Sequence, residues 1–162
     1  MKPFSTILGI IFLCCSMNND RVKILEFIPF KPNYKLTFDQ LTNDGFRKLN
    51  ADVLMVEKFL NDSTHVKFLI DGPTQSVLIE QWSIKFNEFN TDTLNSFIEK
   101  NNARIVTPLC LEKDVYIFFV KNLISGLYFR CHFVHAYVAD KIYLDIMHEY
   151  PLYYQQMMDD KE

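Results

Sequence analysis

The sequence predicts an all-β protein: a β-sandwich of about eight antiparallel strands carrying one short helix. Three features point there. Aromatic residues make up 15% of the chain, including 15 Phe and 8 Tyr, and such side chains fit the half-buried pleat of a sheet. Short apolar runs recur, many of them alternating apolar with polar residues at the two-residue period of a strand. Turn signals separate these runs at short spacing, the pattern of sandwiches and barrels. Several runs are apolar on both faces, which fits strands covered on both sides, or a sandwich whose two sheets stand apart.

In chain order, Val22 to Phe30 is an apolar run closed by Pro29 and Pro32, and Tyr34 to Gln40 alternates. Asn43-Asp44-Gly45 is a turn signal. Leu49 to Leu60 carries Val53, Met55 and Phe59 on one face and Leu54 and Val56 on the other, until the polar break Asn61 to Thr64. His65 to Ile70 groups Val66, Phe68 and Ile70 before Asp71-Gly72-Pro73 turns the chain; Val77 to Phe86 groups Trp82, Ile84 and Phe86. The period then changes. Leu94, Phe97 and Ile98 recur at helical spacing between Thr91, a candidate N-cap, and Asn101-Asn102. Strands resume at Asp114 to Lys121, Leu127 to Val138 and Lys141 to His148, joined by hairpin turns at Ser125-Gly126 and Ala139-Asp140. With no internal repeat, low-complexity tract or linker, residues 17–150 read as one domain and residues 151–162 as a polar tail that frays.

The first residues read as a secretory signal peptide. Met1-Lys2-Pro3 is a short positive segment, Phe4 to Cys15 is apolar, and Cys14 and Ser16 are small enough for cleavage before Met17. The apolar run is too short to span a bilayer, which takes about 20 such residues. An exported mature chain therefore has no transmembrane segment and retains two cysteines, Cys110 and Cys131, enough for one disulfide. The hairpin folded about residues 123–125 sets Cys131 opposite about residue 117 and leaves Cys110 near its far end. Bridged Cα atoms lie within about 7 Å, so both thiols are expected to be free. The sequon Asn61-Asp62-Ser63 lies in a polar break and makes Asn61 a glycosylation candidate.

Composition excludes several functions. The formal net charge is -3, and no Lys/Arg cluster supplies the positive face that nucleic acid requires. His132 and His135 lie three apart in a strand and face opposite ways, so they do not jointly clasp a metal; no cofactor is expected. The chain has no G-x-S-x-G elbow and no glycine-rich phosphate loop. Its carboxylates are scattered without a marked pair. A non-enzymatic protein is the resulting expectation, with a hydrolase whose carboxylates meet only in space as a remaining alternative.

Three stretches carry a family resemblance: Leu49 to Leu60, Cys110-Leu-Glu-Lys-Asp-Val-Tyr-Ile-Phe-Phe-Val-Lys121, and Ser125-Gly-Leu-Tyr-Phe-Arg-Cys-His-Phe133 running on to Ile146. In this order they resemble the secreted ML family of lipid-recognition domains, specifically its insect branch of ganglioside-activator-like proteins of unknown function. Leu111 and Asp114 depart from the proline and glycine of that branch, and the Thr93–Ile98 helix lacks its cysteine. The resemblance implies an immunoglobulin-like sandwich opened to admit a lipid tail or sterol between its sheets. Strand faces then nominate Val53, Met55, Phe68, Ile70, Trp82, Ile84, Phe86, Phe118, Phe129, Phe133, Ile142 and Leu144 as pocket walls. A cell-surface receptor is a further candidate partner. The alternative is a secreted protein-interaction module with a solid core and an exposed aromatic patch that includes Tyr150, Tyr153 and Tyr154.

Overall fold

The structure, a computed structural model, describes residues 27–32, 36–49, 54–136 and 139–149. Helix α1 (Phe38–Asn43) and strands β1 (Arg47–Lys48), β2 (Met55–Asn61), β3 (Thr64–Ile70) and β4 (Val77–Phe86) form the first half. Helix α2 (Thr91–Lys100) and strands β5 (Ala103–Ile105), β6 (Cys110–Glu112), β7 (Val115–Asn122), β8 (Tyr128–Ala136) and β9 (Lys141–Glu149) form the second. The expected all-β class is what these residues build: nine antiparallel strands and two short helices. The strands join in one hydrogen-bonded path, β1-β2-β3-β4-β9-β8-β7-β5, with β6 also paired to β7.

One face of this sheet is apolar because the two-residue period puts Val66, Phe68, Ile70, Trp82, Ile84, Phe86, Phe129, Cys131, Phe133, Leu144 and Ile146 on the same side. A second layer covers it. Leu41 of α1, Leu94 and Ile98 of α2, and Phe30 ahead of α1 all join the same buried cluster. The body is therefore sandwich-like, with helices and the Phe27–Lys31 segment supplying the layer opposite the sheet. Phe27 stands against Phe46, Phe68 and Trp82, at ring-centroid distances of 5.1, 5.7 and 6.1 Å.

Two segments differ from their sequence expectation. Within the expected strand Tyr34 to Gln40, helix α1 begins at Phe38. Thr37 caps it: its side chain accepts from the Gln40 amide, and the Gln40 side chain accepts from the Thr37 amide at 2.8 Å. This reciprocal capping box outweighs a short alternation. The described end of the Val22 to Phe30 run is a tight turn rather than a strand, with a single bridge between Ile28 and Lys31 and Phe30 at φ 60°. Strand β2 starts at Met55. Strands β1, β5 and β6, two or three residues each, are too short to show a period. Helix α2 matches its expectation, although Asn90, not Thr91, is the cap, its side-chain oxygen accepting from the Asp92 and Thr93 amides. The leader-like residues 1–16, Val53 and the tail with its tyrosines lie outside the described residues.

The two halves follow one plan, although their sequences show no repeat. Each runs helix, short edge strand (one, β1, in the first half; two, β5 and β6, in the second), then a three-stranded meander, and the meanders meet where β4 pairs with β9. Near the middle of that ladder Trp82 faces Ile146. One strand outward, Trp82 neighbours Val66 and Ile146 neighbours Cys131; two strands outward the row reaches Lys58 and Phe118. Thus β2 corresponds to β7, β3 to β8 and β4 to β9, about a pseudo-twofold axis through the central ladder. Phe59 on β2 matches Phe119 on β7 in this correspondence.

The β7–β8 turn is fixed by one side chain. The buried Asn122 accepts through Oδ1 from the Ile124 amide (3.0 Å), the Ser125 amide (2.8 Å) and the Ser125 hydroxyl (3.0 Å), while Gly126 takes a φ of 73°. Positive φ suits glycine, which has no Cβ to clash.

Phe133 tests the layer packing: its ring stacks on Phe89 at 4.8 Å and meets Phe86 edge-on at 5.3 Å. Phe133→Ala should lower unfolding free energy by about 3–5 kcal/mol in urea titration, the usual cost of emptying a buried aromatic site.

Candidate functional site

The residues nominated as pocket walls fall mainly on the apolar face. Phe68, Ile70, Trp82, Ile84, Phe86, Phe118, Phe129, Phe133 and Leu144 are all buried in one cluster, and Ile142 packs half-buried against it. They touch one another and the covering layer: Phe86 meets Phe97 of α2 at 5.4 Å, and Phe129 meets Phe30 at 5.5 Å. Met55 is half-buried on the opposite, outer face, beside Leu69. The structure thus brings nine of the twelve into a shared core, sets Ile142 at its border, and separates Met55 from them.

That core holds a small polar group. Glu80 and His148, each 2% exposed, face each other across β4 and β9. The Trp82 indole N–H donates to Glu80 Oε1 at 2.8 Å, and His148 Nδ1 lies 3.2 Å from the Tyr128 carbonyl. Burial pushes the His148 pKa down to about 4, the Tyr128 carbonyl opposing only in part. This imidazole is therefore neutral near pH 7. Cys131 is also buried, and burial, reinforced by Asp145, raises its thiol pKa well above the ordinary value. A protonated, enclosed thiol is a poor nucleophile.

The two described cysteines, Cys110 and Cys131, are both free, as expected, but for a different reason. Cys110 pairs with Ile117 and Cys131 with Phe118, so β7 runs between them, and alternation puts them on opposite faces. His132 and His135 likewise face opposite ways. His135 sits beside Asp140 at 3.0 Å; His132, whose pKa burial and Arg130 lower against the opposing effect of Asp145, lies on the outer face. Among the described residues no group of three metal-ligating side chains converges.

The outer face of the sheet is the more polar surface. An open depression of about 520 Å³ lies there, across β2, β3, β4 and β9. Its floor follows from register: His65 pairs with Ser83 and Ser83 with Asp145, while Lys67 pairs with Gln81 and Lys85 with Tyr143. Lys141 and Phe59 complete the rim. Three polar contacts preorganise it. Ser83 Oγ donates to Asp145 Oδ1 at 2.6 Å. Glu57, buried beside the rim, bonds both Arg47 and His65, the latter at 2.9 Å. Burial opposes ionisation of Glu57, but the Arg47 and His65 contacts outweigh it and hold the pKa below the usual carboxylate value. Phe59 stacks flat on His65 at 4.1 Å. The carboxylates at this surface are Asp62 and Asp145. Lys67, Lys85 and Lys141 form no ion pair among the described residues.

Sequence reading passed over these lysines because they are spread over three strands 67–141 residues into the chain and form no run. The alternation in His65 to Ile70 and Val77 to Phe86 already put Lys67 and Lys85 on the polar face; only the strand register reveals that Lys141 and Tyr143 join them. Asn61 is exposed at the end of β2, its side-chain oxygen accepting from the Ser63 amide at 2.8 Å, so the sequon is accessible. Searches of family models, curated proteins and solved structures find nothing that matches the chain.

Two outcomes follow from the buried groups. Unfolded His148 takes a proton near the ordinary histidine value of 6.5, but the folded imidazole does so only near 4. The unfolded state therefore binds more protons between these values, and stability falls as pH drops through that window, by up to about 3 kcal/mol. Urea midpoints measured across pH 4–7 should show this decline, and His148→Gln should flatten it. Under native conditions a maleimide should label Cys110 rapidly and Cys131 only after denaturant is added, read by intact mass.

Proposed function

We propose that this chain is an exported, non-enzymatic binding module that recognises an anionic partner through the outer face of its sheet. The observation that carries this reading is the set of three lysines, unpaired among the described residues, around one open depression on a protein whose formal net charge is -3. Lys85 and Lys141 lie on a diagonal of the β4–β9 ladder and Lys67 one strand and four residues from Lys85, yet all three line the one depression. Their convergence, beside hydroxyl and amide groups of Ser83, Gln81 and Tyr143, suits an acidic ligand. The order of charged, apolar and small residues at the start of the chain supports export.

Of the two binding modes considered from sequence, the packing supports the solid-core module. Nine nominated pocket walls are occupied by contacts with one another and with α1, α2 and Phe30. A lipid guest would have to displace that packing. The non-enzymatic reading is supported by the pairing at the depression: Ser83 donates to a carboxylate, not to an imidazole, and His65 is engaged by Glu57.

Poly-glutamate serves as the probe. Isothermal titration at low salt should give saturable binding, weakened at least tenfold by the triple variant Lys67→Glu, Lys85→Glu, Lys141→Glu, with steep salt dependence. No binding to the native protein would refute the reading. A fluorescent fatty acid should show no saturable binding in the same buffer; saturation there would restore the lipid-carrier alternative.

A further inference from the structure

The pseudo-twofold relation shows, among the described residues, one edge seat without its counterpart. On the outer edge of β7, two short strands are seated: β6 along Val115–Ile117 and β5 along Val120–Asn122. The β5 seat continues past the strand, where the Val106 amide donates to the Phe119 carbonyl at 2.9 Å and the Phe119 amide donates to Thr107 Oγ1 at 2.8 Å. In the first half, β1 pairs with β2 at Val56 and Glu57, the place that β6 takes on β7. Among the described residues nothing takes the place of β5. The edge of β2 from Lys58 to Asn61 is the open counterpart of an edge that is covered in the other half.

The geometry points to β-strand addition: an extended segment of an acidic partner protein pairs antiparallel with this edge of β2. This deepens the proposed function and rests on its reading of the lysine-rimmed face. The backbone direction fits. Leu49 donates to the Met55 carbonyl, so the odd-numbered main-chain groups of β2 point to the outer edge, Phe59 among them. Phe59 is 66% exposed, with its ring held flat on His65 at the rim of the depression.

The seated strand β5 indicates what the guest's side chains should be. Ile105, opposite Val120, packs into the main core, and Val106 packs on the outer face with Tyr128 and Phe119. By correspondence, guest residues opposite Leu60 meet the partly buried border of the core and should be apolar. Residues opposite Phe59 point to the outer face, where Lys67 is the nearest of the three lysines, two strands or about 10 Å inward and within reach of a long acidic side chain, so they should be acidic. The favoured guest alternates apolar and acidic residues, and its acidic residues are the ones whose N–H groups face β2. Main-chain pairing gives such complexes affinity, and alternate side chains give specificity.

The test uses the full chain and a ten-residue peptide of alternating valine and glutamate, with two analogues: one N-methylated at the glutamates, one at the valines. Strand addition predicts saturable binding of the parent peptide. Methylation at the glutamates should weaken it at least tenfold, methylation at the valines should leave it within about twofold, and Phe59→Pro should match the glutamate analogue. Equal binding of all three peptides would overturn strand addition while leaving recognition of acidic ligands intact. Failure of every peptide and of poly-glutamate would overturn both.

Discussion

The β4–β9 ladder is the constraint on which the rest of the structure depends. It pairs eight residues from Ile79 to Phe86 with Glu149 to Ile142, and it is the contact by which one half of the sheet continues into the other. Its register decides both faces at once. With Trp82 opposite Ile146, the even-numbered residues of both strands enter the core. The same register leaves Gln81, Ser83, Lys85, Tyr143 and Asp145 together on the outside. A slip of one residue would reverse every one of these assignments. The depression and the core are thus two consequences of a single alignment.

The apolar side is closed by short elements whose local signals are strong. Thr37 and Gln40 cap α1, Asn90 caps α2, and Asn122 folds the β7–β8 turn. Each supplies main-chain partners where the chain leaves regular structure, so the covering layer is held in place at its ends as well as by Leu41, Leu94, Ile98 and Phe30. The polar groups kept in the core, Glu80, Trp82 and His148, lie where β4, β8 and β9 come together. His148 brings a pH dependence into an otherwise apolar interior.

How much of this was legible depends on distance along the chain. Long alternating segments such as Val77–Phe86 and the helical spacing of Leu94, Phe97 and Ile98 are local, and they appear where periodicity puts them. The class and the hairpin turns follow from the same local signals. Helix α1 was hidden because its six residues bury only Leu41, leaving the capping pair Thr37–Gln40 as its only signature. The twofold plan was hidden because the halves share a burial pattern, not residue identities; Phe59 and Phe119 are among the few that coincide. The depression was hidden for a different reason. Lys67, Lys85 and Lys141 meet only through register across β3, β4 and β9, and no window along the sequence contains them. The nominated pocket walls were correctly grouped on one face, but their packing partners come from Phe30, α1 and α2, whose placement over the sheet is a tertiary fact.

On its outer edge β7 carries a covering strand; among the described residues, the matching edge of β2 is open. Amide hydrogen exchange at Phe59 and Phe119 in the isolated full-length protein reads this most directly. Phe119, bonded to Thr107, should exchange slowly, and Phe59 orders of magnitude faster. Protection at Phe59 equal to that at Phe119 would contradict this.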